Sequence, residues 1–294
     1  MKEEMKNVIE VKQMSKRLGM FKLGEMDFEL PMGYIIGLVG ENGAGKTTLL
    51  HLLLGIYRPD AGQVSVLGKT YEESETEIRS QVGFVLQERL FADSDSLIVS
   101  ADAYGAYYEN YDRELFLAYL EKFGLDAKKK YKKLSKGEEL KFQFAFAMAH
   151  DPKLLILDEA TGNFDPKFRE TFLSMLKDFI KDGDRSVILA THLTQELEQI
   201  ADYILYIEQG KLLMNYDIET LRSRFRVAVG ETYKLRLLPK DKVICMEEGK
   251  LTSRALIRYR RHYDYDRELT LAVPSIEQLM YFVTKRERGR EYEF

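Results

Sequence analysis

Little in this chain of 294 residues is suited to cross-linking or to crossing a membrane. It has a single cysteine, Cys245, so no disulfide can form within it, as suits a reducing compartment. No window of 18 or more residues is apolar throughout, so the chain is expected not to span a membrane by itself. The first twelve residues, MKEEMKNVIEVK, hold no apolar signal core. Neither a fixed-period repeat nor a low-complexity segment interrupts the sequence.

What is present is ordinary in bulk and uneven in detail. Hydrophobic residues make up 45% and charged residues 31%, the balance of a soluble globular protein long enough for more than one domain. Residues 222–294 carry 17 Lys/Arg against 11 Asp/Glu, a net +6, which leaves −10 for residues 1–221. This asymmetry marks a separate C-terminal module. A solvated basic face explains its surplus first, an acidic partner or lipid head groups second.

The stretch that organises the chain is Gly40 to Thr48, GENGAGKTT. The apolar run Tyr34–Val39 before it reads as a buried strand, and Leu49–Leu54 after it as a buried helix. Strand, glycine-rich turn, Lys, Thr and helix together match the phosphate-cradling pattern G-x-x-x-x-G-K-[ST] at every fixed position. Gly40, Gly43 and Gly45 are expected to free the backbone so that successive N–H groups aim at a phosphate, with the helix dipole behind them. Glu41, Asn42, Ala44 and Thr48 complete the cradle. Lys46 supplies a mobile cation, and Thr47 a hydroxyl for Mg²⁺.

Before the cradle, residues 7–14 and 26–30 alternate as half-buried strands do. After it come strand-like segments at 63–68, 82–86, 153–159, 186–190, 203–207 and 212–215, with helical stretches between them. Apolar strands alternating with helices predict a covered, mostly parallel sheet. From Leu97 to His150 the pattern is helical, with an aromatic stripe at Tyr104, Tyr107, Tyr108 and Tyr111 expected in the core or at a partner. The Ala/Phe-rich run from Lys136 reads as a buried helix despite its alternating phenylalanines. Beyond 222, the segments 233–237, 256–259 and 269–273 alternate as strands, Ser275 caps a helix, and Lys285–Phe294 is expected to fray.

Parallel strands bring their C-terminal ends to one edge, where a bound phosphate sits. Three such ends carry polar residues. Asp158 and Glu159 close one strand; the first can hold Mg²⁺ and the second can align and deprotonate a water. Two acids at a strand end could instead be a solvated loop, a reading that the preceding phosphate loop disfavours. His192 closes the next strand and can reach a γ-phosphate, though alone it would read as a surface histidine. Gln87 closes a third, placed to coordinate Mg²⁺ or sense the γ-phosphate. Leu134-Ser135-Lys136-Gly137-Glu138 is a capping box at a helix start, and also a potential second anion site.

With these motifs in order, residues 7–215 resemble the ATP-binding subunit of a bacterial ABC transporter, of the exporter kind. Gly40–Thr48 is similar to the family's Walker A, Leu154–Glu159 to Walker B, Gln87 to the Q-loop, Gly162–Pro166 to the D-loop and His192 to the switch histidine. Leu134–Glu138 resembles the signature LSGGQ, with Lys136 in place of its second glycine and Glu138 in place of its glutamine. The base-stacking aromatic of the family falls at Leu18 by register, with Phe21 nearby. The resemblance implies an α/β P-loop NTPase with a mostly parallel central sheet. An antiparallel β subdomain, a helical subdomain at about 88–150 and a small α+β C-terminal appendix would surround it. The implied domains are 1–221 for ATP binding and 222–294 as accessory. It also implies ATP and Mg²⁺ as cofactors, with Glu159, His192 and Gln87 catalytic and Thr47, Gln87 and Asp158 toward the metal. Two subunits, identical or different, would pack head to tail, with Ser135, Lys136, Gly137 and Glu138 of one facing the nucleotide of the other. A transmembrane permease on a separate chain would hold the protein at the inner face of the cell membrane, in the cytoplasm. Nucleic acid is not expected. A soluble ABC ATPase of the translation or DNA-repair type is the alternative; such chains usually carry two ATPase units or long coiled coils, which this one does not.

Overall fold

The computed structural model describes residues 6–291; the first five residues of the segment searched for a signal core, and residues 292–294 of the charged tail, lie outside it. Along the chain, β1 (Asn7–Leu18) and β2 (Phe21–Pro31) form a hairpin, and β3 (Ile35–Val39) runs into α1 (Lys46–Leu53). β4 (Ala61–Val66) and α2 (Tyr71–Gln81) lead to β5 (Val82–Val85). Then come α3 (Leu97–Gly105), α4 (Arg113–Lys122) and α5 (Lys136–Met148). β6 (Leu154–Asp158), α6 (Pro166–Phe179), β7 (Ser186–Ala190) and α7 (Thr194–Ile200) precede the hairpin of β8 (Tyr203–Glu208) and β9 (Lys211–Asp217). The C-terminal part holds α8 (Ile218–Arg224), β10 (Phe225–Gly230), α9 (Thr232–Arg236), β11 (Val243–Glu247), β12 (Ser253–Arg258), β13 (Thr270–Ala272) and α10 (Ile276–Glu291).

Six strands form the central sheet in the order β5-β6-β7-β3-β8-β9. All neighbours are parallel except the β8–β9 hairpin. Its inner strands are nearly all apolar because both faces are covered, while the edge strand β9 carries Lys211, Asn215 and Asp217. Ile35, Val39, Leu155, Leu157, Val187 and Leu189 point into the core under the helices. Ile36, Leu38, Leu154, Ile156, Ile188 and Ala190 point into a second core shared with α1 and the antiparallel sheet β2-β1-β4. The four parallel strands β5, β6, β7 and β3 are in register, so the residues after Val85, Asp158, Ala190 and Val39 emerge at one edge.

α5 is a helix, as its alanines suggest. Its phenylalanines serve different neighbours rather than two faces of a strand: Phe142 packs on Phe91, Phe116 and Tyr131, and Phe144 on Phe123 and Phe172. The tyrosine stripe is only partly helical. α3 ends at Gly105, and Tyr107, Tyr108 and Tyr111 lie in the loop that follows. Tyr107 is fully presented to solvent at 83% exposure, while Tyr108 and Tyr111 turn back onto Phe146.

Two expectations for the C-terminal part are corrected. Residues 233–237 are not a strand: 232–236 form the short helix α9. Over five residues, alternation cannot be told from the i, i+3 spacing that buries Leu235 and Leu238 and leaves Tyr233 and Leu237 outside. The tail does not fray at Lys285, because α10 continues to Glu291. It is held by Phe282 in the main core and by a hydrogen bond between the hydroxyls of Tyr206 and Thr284. The boundary expected between 221 and 222 falls inside α8. The antiparallel sheet β11-β12-β10-β13 has a small core of its own around Ala228, Leu235 and Ile257. Its other side, with Val227, Leu256, Ile276 and Leu279, joins the main core.

Candidate functional site

The turn between β3 and α1 places backbone amides around a cleft of about 450 Å³. Gly43 (φ 81°) and Gly45 (φ 111°) take left-handed conformations that other residues resist. A Cβ at Gly45 would also lie 2.7 Å from the Leu23 side chain. Gly40 serves differently from the expectation: its backbone is ordinary, and it is needed for space, since a Cβ there would lie 2.3 Å from the Ile207 carbonyl oxygen. α1 starts without a side-chain cap and without an acid in its first turn, so its N-terminal amides face the cleft uncompeted. Leu18, Phe21, Asn42, Thr47, Thr48, Asp158 and Glu159 line the cleft together with the glycines and Lys46.

Lys46 is buried, and its Nζ donates to the carbonyls of Gly40 (2.9 Å) and Glu41 (3.3 Å). These bonds hold the ammonium over its own loop, ready for phosphate oxygens. Thr47 Oγ1 donates to Asp158 Oδ2 at 2.8 Å. The other oxygen, Oδ1, is buried without a hydrogen-bond partner. Burial pushes the Asp158 carboxyl up from its ordinary value, with the Thr47 bond opposing. A hydroxyl beside a desolvated carboxylate with one unused oxygen is a donor set that fits a hard divalent cation. No cluster of three or more His, Cys, Asp or Glu able to hold a metal occurs among the described residues. A cation here would therefore take its remaining ligands from phosphate and water, as Mg²⁺ commonly does.

Glu159 is the meeting point of the site. Its backbone is left-handed (φ 49°), with its N–H on the Ala190 carbonyl at 2.9 Å. Its carbonyl accepts from Gln87 Nε2 at 2.7 Å. One carboxylate oxygen lies 2.6 Å from His192 Nδ1, and the other 3.9 Å from Lys46 Nζ. Residues at or after the ends of four strands thus meet at one residue, two at its main chain and two at its carboxylate. The carboxylate can accept a proton from a water on the cleft side, with a cation and a histidine at hand to stabilise the charge.

The Ser135 segment is built as the capping box predicts. Ser135 Oγ accepts from the Glu138 N–H (3.3 Å), and Glu138 Oε2 accepts from the Ser135 N–H (2.9 Å). Glu138 is also gripped by Lys129 Nζ at 2.9 Å to each oxygen. That partner, with the Ser135 bonds, holds its carboxyl below the ordinary value. Lys136 Nζ donates to the Gln87 carbonyl within the same chain. Gly137 allows close approach of the 162–166 turn: a Cβ there would lie 2.6 Å from the Asn163 carbonyl oxygen.

Several supporting residues carried no usable signal in the sequence. Gln143, 1% exposed within an apolar helix, accepts from the Leu86 N–H (2.8 Å) and donates to the Glu88 carbonyl (3.0 Å), bracketing Gln87. A lone glutamine amid phenylalanines was the one available hint. Asp165, unlike these, lies in the turn that the sequence did mark; it caps α6 by accepting from the Phe168 N–H at 2.9 Å. Arg169 and Thr161 both bind Glu196 on α7 (3.3 and 2.7 Å), which ties the 162–166 turn to the helix after His192.

Residues 23–162 match the sequence profile of the ABC transporter family. The bacitracin transport ATP-binding protein BcrA of Bacillus licheniformis is 30% identical over 229 residues, 76% of this chain and 74% of that protein. The Nod factor export ATP-binding protein I of Sinorhizobium fredii is 32% identical over 216 residues, 70% of this chain and 62% of that protein. Among solved structures, a dimeric ATP-binding cassette in a post-hydrolysis state with ADP and Pi superposes with a TM-score of 0.63 at 21% identity, over 71% of this chain and 98% of that one.

Proposed function

This chain belongs to the ATP-binding subunits of ABC transporters, and from that premise we propose that it binds and hydrolyses ATP to drive transport, as export, through a permease on a separate chain. The observation that carries the reading is the placement of Glu159, its carboxylate between His192 Nδ1 and Lys46 Nζ beside the Thr47–Asp158 pair.

In this reading the amides of 43–48 and Lys46 hold the β- and γ-phosphates, and Leu18 and Phe21 pack against the base. Thr47 and Asp158, with Gln87 on the γ-phosphate side, hold Mg²⁺, which supplies charge neutralisation when bound. Glu159 orients and deprotonates the attacking water, His192 keeps the carboxylate in line, and Gln87 holds the Glu159 main chain. The site is completed by the Ser135 segment of a facing subunit, so that closure and reopening follow ATP binding and hydrolysis. Residues 88–150, with exposed Tyr104 and Tyr107, are the part that meets the permease, and residues 222–294 form an accessory unit. No helix among the described residues is long and apolar enough to cross a membrane. The transport reading itself puts the subunit peripherally, at the inner face of the cell membrane, held by its permease. The non-transport alternative loses ground because the curated relatives are transport and export subunits.

Substituting Glu159→Gln tests the chemistry. Turnover should fall by roughly a hundredfold or more while ATP affinity stays within about twofold. Hydrolysis at the wild-type rate would remove Glu159 as the base. Co-purification tests the partner: association with ribosomes and never with a membrane protein would sink the transport reading.

A further inference from the structure

α5 carries a polar stripe that runs into its apolar, phenylalanine-rich half. Lys136, Glu139 and Gln143 are spaced three and four residues apart, on one face. All three serve the same short segment after β5, Lys136 and Gln143 at its backbone and Glu139 at the Arg89 side chain. Gln143 brackets Leu86 and Glu88, as described above. Lys136 Nζ donates to the Gln87 carbonyl and lies 3.5 Å from Glu139 Oε2. Glu139, buried, has its other oxygen 3.1 Å from Arg89, whose guanidinium also donates to the Tyr131 carbonyl. Each residue from Leu86 to Arg89 is thereby fastened to α5, directly or through Glu139. The path continues inward, from the Gln87 side chain to the Glu159 carbonyl and from the Glu159 carboxylate to His192.

We propose that Lys136 is a positioning residue within its own subunit. It fixes the Gln87 carbonyl, and through Gln87 the main chain of Glu159, instead of serving as a phosphate ligand for a facing copy. The inference rests on the ATPase reading above. Two features support it. An ammonium bonded to a carbonyl and beside a carboxylate is charge-assisted on both sides, and reaching outward would forfeit both partners. Moving it would also take from the buried Glu139 one of its two cations, and a buried carboxylate gives up a cation at a cost. A glycine at this position could not make the tether, so the segment 86–89 would be held to α5 by Gln143 and Glu139 alone.

The test is hydrogen exchange on the full-length chain carrying Lys136→Met, which keeps the side chain's length and removes its donor. The amides of residues 86–90, of which the Leu86 N–H is protected by its bond to Gln143, should exchange roughly three- to tenfold faster, with or without ATP, and Lys136→Arg should restore protection. Glu139→Gln, as a second variant, should loosen the same amides, and the double variant should add less than the sum. Turnover should drop roughly three- to tenfold in kcat with KM for ATP unchanged. In a Glu159→Gln background, ATP-driven dimerisation followed by size-exclusion chromatography should change by less than about twofold. Unchanged exchange in both variants overturns the proposal. So does a Lys136→Met variant that dimerises about tenfold more weakly or shows a KM raised to match, for then the ammonium serves the nucleotide across the interface. If the wild-type chain binds no ATP, the ATPase reading falls, and the exchange data still decide whether the tether exists.

Discussion

The helix that begins at Lys46 has no side-chain cap and no acid in its first turn, whereas the helix that begins at Lys136 has a full capping box, Glu138 and Glu139. Both are proposed to face phosphate. The first leaves its N-terminal amides and dipole to a ligand, which is what makes a helix start an anion site. The second has already spent two amides, of Ser135 and Glu138, on its own side chains. Its carboxylates lie where negative charge is welcome to a dipole and unwelcome to a triphosphate, and Lys129 and Arg89 offset them. The same local feature is open in one place and self-satisfied in the other. The open one is the proposed binding site; the closed one is a more rigid surface that can still offer the Ser135 hydroxyl hydrogen and the Lys136 and Gly137 amides, with the Glu138 amide already used.

Four substitutions break or sharpen this contrast. The largest effect is expected at the open end. Lys46→Ala removes the cation and leaves the Gly40 and Glu41 carbonyls without it; ATP affinity should fall by roughly a hundredfold, about 3 kcal/mol, in a fluorescent-nucleotide titration. Next is Gly137→Ala at the closed end, where the added Cβ meets the Asn163 carbonyl oxygen. Backbone must shift, so a loss of about 1–3 kcal/mol in chemical denaturation is expected, with ATP binding by the isolated chain unaffected. Ser135→Ala removes a cap and should cost about 1 kcal/mol; the same change in thermal midpoint with no change in ATP-driven dimerisation would mean that the hydroxyl serves the helix alone.

The smallest effect is expected for Glu138→Gln, which keeps the capping geometry and loses the partly exposed Lys129 pair. Stability at neutral pH should fall by less than about 1 kcal/mol. The pH dependence has a definite sign. Lys129 lowers the Glu138 carboxyl in the folded protein, so its contribution is present above the ordinary value of 4.5 and is lost as pH falls toward the depressed folded value. The Gln variant should therefore lose less stability than wild type on acidification below about pH 4.5. A steeper loss in the variant would show that Glu138 is not held as described.

How much of this was legible beforehand follows from how local each feature is. The Gly40–Thr48 cradle is written in consecutive residues and formed as expected, except that Gly40 is required by the Ile207 carbonyl, a neighbour 167 positions away. The central strands were readable because burial on both faces leaves unbroken apolar runs. The edge at which Gln87, Glu159 and His192 meet followed from parallel order. What stayed hidden depends on side chains that meet only in the fold. Lys129 reaches Glu138 across a loop, Gln143 reaches back 57 residues to Leu86, and Arg169 meets Glu196 between two helices. Tyr233–Leu237 misled because five residues are too few to separate a strand's period from a helix turn.

Glu159 sits at φ 49°, where a residue with a Cβ is strained by about 1–2 kcal/mol and where asparagine or glycine would be more at ease. The neighbours that hold it there, the Ala190 carbonyl and the Gln87 amide, grip main chain and would grip any residue. These main-chain contacts do not ask for a glutamate; its carboxylate meets only His192 and Lys46, both groups of the proposed site. Mutational drift filtered for stability alone would carry position 159 toward asparagine or glycine, so glutamate endures there only while turnover itself is under selection, and a lineage that stopped hydrolysing ATP should lose this residue among the first.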